Sequence, residues 1–111
     1  MSAAAQIRVA LDLAADERHH NPLGTLHGGV YVDLADAAMG WAYAAMLPEG
    51  ETFTTVELKI NFLKPVWEGR LTAVGSVVKA GRTIALIDCR VTDDEGSLVA
   101  YATSTCMTLR D

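Results

Sequence analysis

Three scarcities bound what this chain can be. It has only two cysteines, Cys89 and Cys106, so no disulfide framework holds it together. Their spacing suits no metal site, and both fall in apparent strands, where they read as reduced, small core residues. Basic residues number nine against fourteen acidic ones, a net charge of −5. A chain that binds nucleic acid irrespective of sequence needs a basic face for the phosphates, and this composition argues against one. Long apolar runs are the third scarcity. The longest without a charge, Ala37 to Leu47, is too short to cross a bilayer and suits a buried helix instead. The first residues lack the basic and apolar segments of a signal peptide, so the expected setting is the cytoplasm, with no membrane partner.

What remains is enough for one domain. The 111 residues support a single core, half of them are hydrophobic, and about a fifth are charged. Neither repeat nor linker divides residues 1–111. Three prolines, Pro22, Pro48 and Pro65, fall between patterned segments and leave the elements uninterrupted.

The segments read in order. Ile7, Val9, Leu11 and Leu13 alternate with polar or small residues, as in a half-buried strand. Residues 15–26 form a polar loop with turn chemistry at Asn21-Pro22-Leu23-Gly24. From Val30 to Leu47 the chain is rich in Ala, Leu and Met and reads as a helix, opened by Gly28-Gly29 and stopped by Pro48. Its apolar side chains go all the way round, so enclosure is expected. Only Asp33 and Asp36 interrupt them, and Asp36, one turn further in, is the costly carboxylate. Four strand patterns follow: Val56 to Phe62, Leu71 to Lys79, Ile84 to Val91 and Leu98 to Leu109. Gly75 marks a bulge or bend in the second. Tight connections at Ala80–Thr83 and Asp93–Ser97 predict antiparallel neighbours in a meander. The expected fold class is α+β, a long buried helix wrapped by a curved antiparallel sheet of about five strands. One helix cannot cover every apolar position of five strands, so a homodimer is expected.

His27-Gly28-Gly29 at the helix start, with Asn21 six residues before His27 and Asp36 nine after it, resembles the hotdog-fold acyl-CoA thioesterases. The likeness is greatest to the branch of phenylacetyl-CoA and Arthrobacter-type 4-hydroxybenzoyl-CoA thioesterases. Ile60-Asn61-Phe62-Leu63-Lys64-Pro65 is similar to that family's strand ending in an aromatic, Leu, a basic residue and Pro. The resemblance runs from about residue 7 to residue 109. Many relatives carry an N-terminal helix before the first strand, and some carry Ser or Thr where Gly40 stands here.

The resemblance implies hydrolysis of an aryl- or medium-chain acyl-CoA to free acid and coenzyme A, with no cofactor beyond the substrate and no metal. The N–H groups at a helix start carry partial positive charge and lack intrahelical acceptors. The Gly28 N–H is thus the candidate oxyanion donor. A buried Asp36 would be a strengthened base, either activating water or attacking the carbonyl itself. Asn21 is a candidate for orienting the attacking water or the carbonyl, and equally for ordinary turn chemistry. His27 is expected to shape the loop by hydrogen bonding. Gly29 leaves the approach open, and Arg82, Thr83 and Lys64 are candidates for the coenzyme A phosphates. His19 and His20 are read as loop residues. Tyr31, Met39, Trp41, Tyr43 and Phe62 are candidates for the acyl pocket. Relatives assemble one site from two subunits, which implies a homodimer or dimer of dimers. Two alternatives remain: a hotdog enoyl-CoA hydratase, suggested by Asp16 and the Asn21-Pro22 turn, and a non-catalytic acyl-CoA-binding domain.

Overall fold

The computed structural model describes residues 7–110. Five strands, β1 (Arg8–Ala15), β2 (Thr52–Phe62), β3 (Gly69–Ala80), β4 (Ile84–Thr92) and β5 (Leu98–Leu109), form one antiparallel sheet around helix α1 (Gly28–Ala44). Alternation makes β3 and β4 two-faced. Leu71, Ala73 and Val77 of β3 and Ala85, Ile87, Cys89 and Val91 of β4 turn inward and are buried. Tyr31, Ala35, Ala38, Met39, Ala42 and Tyr43 of α1 pack on them. Burial of the larger of these side chains stabilises the fold by roughly 1.5–3 kcal/mol each. The buried Tyr43 hydroxyl is hydrogen-bonded to that of Thr108, so neither polar group is orphaned.

The strand order is β1-β3-β4-β5-β2, which corrects the expected meander. Only β3, β4 and β5 are joined by hairpins. The strand after the helix, β2, pairs with β5 at the far edge, and residues 63–68 carry the chain back across the end of the sheet to β3. Pro65 blocks a tight hairpin there, and Leu63 and Lys64 instead donate their N–H groups to the Val99 carbonyl.

Gly75 is not a bulge; the register shift in β3 falls between Val77 and Lys79. Glycine is needed at 75 because the helix backbone rests on it: a Cβ there would lie 2.4 Å from the Ala38 carbonyl oxygen. The small face of α1 (Ala35, Ala38, Ala42) and the bare backbone of Gly75 bring helix and sheet into direct contact.

Both cysteines are buried and unpaired. Burial, reinforced by the neighbouring Asp88, pushes the Cys89 thiol up to about 12. With both thiols buried, the folded protein is expected to be unreactive toward an aromatic disulfide reagent at neutral pH. Release of thionitrobenzoate within minutes, without denaturant, would contradict this burial. Among the described residues no helix is long and apolar enough to cross a membrane.

Candidate active site

The helix begins at Gly28, two residues earlier than its apolar pattern, because His27 caps it. The His27 ring folds back so that Nδ1 accepts the Gly29 N–H at 2.9 Å. A Cβ on Gly29 would sit 3.0 Å from that nitrogen, so the cap and the second glycine belong together. The loop before the helix is tied down from both sides. The His27 N–H donates to the His19 carbonyl, and the Leu26 N–H donates to the Val66 carbonyl. The His20 ring bonds the Trp67 carbonyl. His19 ends a single 3₁₀ turn, Glu17–His19, capped by Asp16. The two histidines are thus loop residues that lock the helix start to the β2–β3 connection.

That stitching leaves the first N–H of the helix without a partner. Among the described residues, the Gly28 N–H has no acceptor. Gly28 lines a pocket of about 410 Å³ together with Thr25, Leu26, Tyr31, Phe62, Leu63, Lys64 and Pro65. The Phe62 ring lies over the glycine, where an added Cβ would be 3.2 Å from its Cζ. Tyr31 meets the same ring edge-on, with centroids 5.5 Å apart. Burial raises the Tyr31 phenol, so the pocket wall is neutral there. An unpaired N–H at the positive end of a helix, beside a largely apolar wall, can hold an oxygen that is gaining negative charge.

Asp36 lies elsewhere. The expectation that it is buried among Ala, Leu and Met is corrected: it is exposed, as are Ala37, Trp41 and Ala44. One sheet covers one face of α1, and the opposite face stays open. No described residue forms an ion pair or a side-chain hydrogen bond with Asp36. Eight residues at 1.5 Å each place it about 12 Å along the helix axis from Gly28.

A family model described as the thioesterase superfamily matches residues 23–100. The chain belongs to this superfamily. It is 32% identical over 103 residues to a Saccharolobus solfataricus protein that bears an esterase name, covering 93% of this chain and 73% of that one. Its fold superposes on a Haemophilus influenzae thioesterase with a TM-score of 0.90 at 29% identity, covering 98% of this chain and 76% of that one. A Bacillus halodurans protein crystallised with coenzyme A matches with a TM-score of 0.86 at 34% identity, over 91% of this chain and 67% of that one.

The superfamily fold gathers some of the expected site residues and disperses others. Gly28, Tyr31, Phe62 and Lys64 share the pocket, whereas Met39 and Tyr43 are fully buried core and Trp41 stands on the open helix face. Asn21 serves its own loop: Oδ1 accepts the Leu23 N–H at 2.9 Å, and Nδ2 donates to Thr25 Oγ1 at 3.1 Å. Lys64 is paired with Asp93 at 2.8 Å, and that hydrogen bond holds the lysine above its ordinary range and the aspartate below its own. Arg82 and Thr83 sit at the β3–β4 turn, where the Thr83 carbonyl accepts the Thr108 N–H. Phe62 pairs with Ala100, eight residues from Thr108 along β5, so this turn is about 27 Å from the Gly28 end. Pattern gave no warning of the roles of Thr25 and Leu63 in the pocket wall, because both depend on the crossing of residues 63–68.

Proposed function

We propose that this chain hydrolyses an acyl-CoA thioester, aryl or medium-chain, to the free acid and coenzyme A. The observation that carries the reading is the unpartnered Gly28 N–H at the start of α1, on a residue that lines a largely apolar pocket. The thioester oxygen accepts that N–H as the carbonyl carbon becomes tetrahedral. Asp36 either takes the proton of an attacking water or attacks the carbon itself, and the coenzyme A thiolate leaves; in the second route water then opens the mixed anhydride, releasing the acid and restoring Asp36. The superfamily membership and the coenzyme A in the Bacillus halodurans relative support the substrate class.

Reacting groups must lie about 3–3.5 Å from the carbonyl they share. Gly28 and Asp36 of one chain are about 12 Å apart along the axis. If both act on one thioester, they come from different chains, and the exposure of Asp36 in the single chain agrees with this arrangement. The enzyme is then a homodimer or a multiple of one.

Thiol release across aryl, short and medium acyl-CoAs tests the activity. Gly28→Pro deletes the N–H at a helix position that tolerates proline, while Gly28→Ala keeps the N–H and adds a similar crowding of Phe62. Turnover is expected to fall by about 10²–10³-fold in the proline variant relative to the alanine one. Refolding Gly28→Pro together with Asp36→Asn should restore about a quarter of wild-type activity. Half of the dimers are then mixed, and each mixed dimer keeps one intact site. Equal activity of the two Gly28 variants would remove the N–H from the mechanism, and no recovery on mixing would put both groups in one chain.

A further inference from the structure

Two of the three tyrosines bond their hydroxyls to the protein. Tyr43 is hydrogen-bonded to Thr108, and Tyr101 donates to Asp88 at 2.9 Å. The Tyr31 hydroxyl bonds nothing among the described residues, although the residue is only 4% exposed. A buried tyrosine O–H ordinarily finds a partner. No fully enclosed side-chain nitrogen or oxygen among the described residues lacks one. The Tyr31 oxygen is therefore not fully enclosed, and the open space beside that buried ring is the pocket it lines with Gly28. Burial raises the phenol, so it keeps its proton near neutral pH and stands as a donor.

The rest of the pocket wall narrows what this donor can meet. Leu26, Phe62, Leu63 and Pro65 are apolar, Lys64 is paired with Asp93, and Thr25 Oγ1 accepts from Asn21 Nδ2. Gly29 adds no donor, because its N–H goes to His27. The Tyr31 ring is held edge-on to Phe62. A helix N–H points along the axis, off the helix start, whereas a side chain such as Tyr31 stands off the side. Helix positions three apart have Cβ atoms about 5–6 Å from one another. The two donors therefore suit two acceptors rather than one. With the thioester oxygen on the Gly28 N–H, the Tyr31 O–H is left for a second oxygen of the substrate. Walls this apolar suit the acyl group rather than pantetheine, whose amides would go unmatched there.

We infer that Tyr31 selects the acyl group: its hydroxyl donates to an oxygen that the acyl chain or ring carries beyond the thioester carbonyl. An oxygenated acyl-CoA is then preferred to its hydrocarbon parent. This rests on the thioesterase reading of the pocket and names the residue that sets its preference. An acyl group without that oxygen covers the phenol and leaves it unpaired, which is the source of the discrimination.

Thiol release from matched pairs is the test, with 3-hydroxyoctanoyl-CoA set against octanoyl-CoA and the hydroxybenzoyl-CoA isomers against benzoyl-CoA. In the wild type, kcat/KM for an oxygenated member is expected to exceed that of its parent by about tenfold. In Tyr31→Phe that ratio should fall to about one, because the phenyl ring has no donor. Its melting temperature should hold, because the lost oxygen bonds no described residue. A ratio taken within each protein cancels any general loss of turnover. Thr25→Val removes the pocket's other hydroxyl and should keep the ratio. The inference is overturned by a wild type that favours no oxygenated member, or by a preference that survives Tyr31→Phe or is lost equally in Thr25→Val. A melting temperature more than about 3 °C lower in Tyr31→Phe would also overturn it, by placing the hydroxyl in a bond within the protein. If no acyl-CoA releases thiol, the thioesterase reading fails, and calorimetric dissociation constants for the same pairs then decide this one. A ratio of about tenfold that is lost in Tyr31→Phe sustains it, and equal constants overturn it.

Discussion

An Asp36→Asn variant is expected to keep the wild-type melting temperature and to lose thioester turnover by about 10²–10⁴-fold, the usual loss when a positioned base is removed. Stability should hold because the carboxylate is exposed in the chain and no described residue pairs with it. The amide has the same shape but neither takes a proton nor attacks a carbonyl. The loss should therefore fall on kcat, with KM little changed. Thiol release measured beside a thermal melt separates chemistry from folding. Turnover within threefold of wild type would remove Asp36 from the reaction. A single turnover of the wild type in ¹⁸O-water then distinguishes the two routes. Direct attack by water puts the label in the product acid, whereas a mixed anhydride opened at the aspartyl carbon leaves it in Asp36.

Gly75→Ala is expected to be the most damaging single methyl in the protein. Its Cβ would lie 2.4 Å from the Ala38 carbonyl oxygen, 2.6 Å from the Ala38 carbonyl carbon and 2.8 Å from the Met39 nitrogen. All three atoms are helix backbone, so no side-chain rotation relieves the contact, and α1 must lift from the sheet. Overpacking of this kind costs about 3 kcal/mol, or more where the backbone cannot yield. A loss of that size lowers the melting temperature by roughly 10–20 °C in a domain of this length. Turnover should fall as well, because Gly28 and Asp36 both ride on the displaced helix. Ala73→Gly, two residues away on the same buried face, serves as the contrast. It leaves a small cavity rather than a clash, so its melting temperature should fall by much less. A Gly75→Ala variant melting within 2–3 °C of wild type would show that the helix and sheet have slack the close approach denies.

Local pattern determined a good deal of this protein. Alternation at residues 7–13 and 56–62 marked β1 and β2, since side-chain period follows directly from the pleat, and strand-type residues between turn signals marked the other three. The Ala-rich run before Pro48 marked α1, and the His27-Gly28-Gly29 start with Asp36 nine residues after His27 marked the family and the residues to test.

Three decisions belonged to the tertiary structure. Pro65 announced the end of β2 but not that the chain would cross the sheet end and leave β2 beside β5; strand order depends on pairings distant in sequence. The apolar circumference of α1 suggested enclosure, yet one sheet has only one concave face, so Asp36, Trp41 and their neighbours remain exposed. Gly75 read as a bulge or a bend because an isolated glycine in a strand has two causes, a backbone irregularity or a close neighbour, and only the position of α1 distinguishes them. The candidate site follows the same division. Its glycine and its carboxylate were legible as residue types at a spacing, because both lie on one helix. Phe62 over Gly28 and the exposure of Asp36 came from packing, and they bear on the second chain that the sequence had already led us to expect.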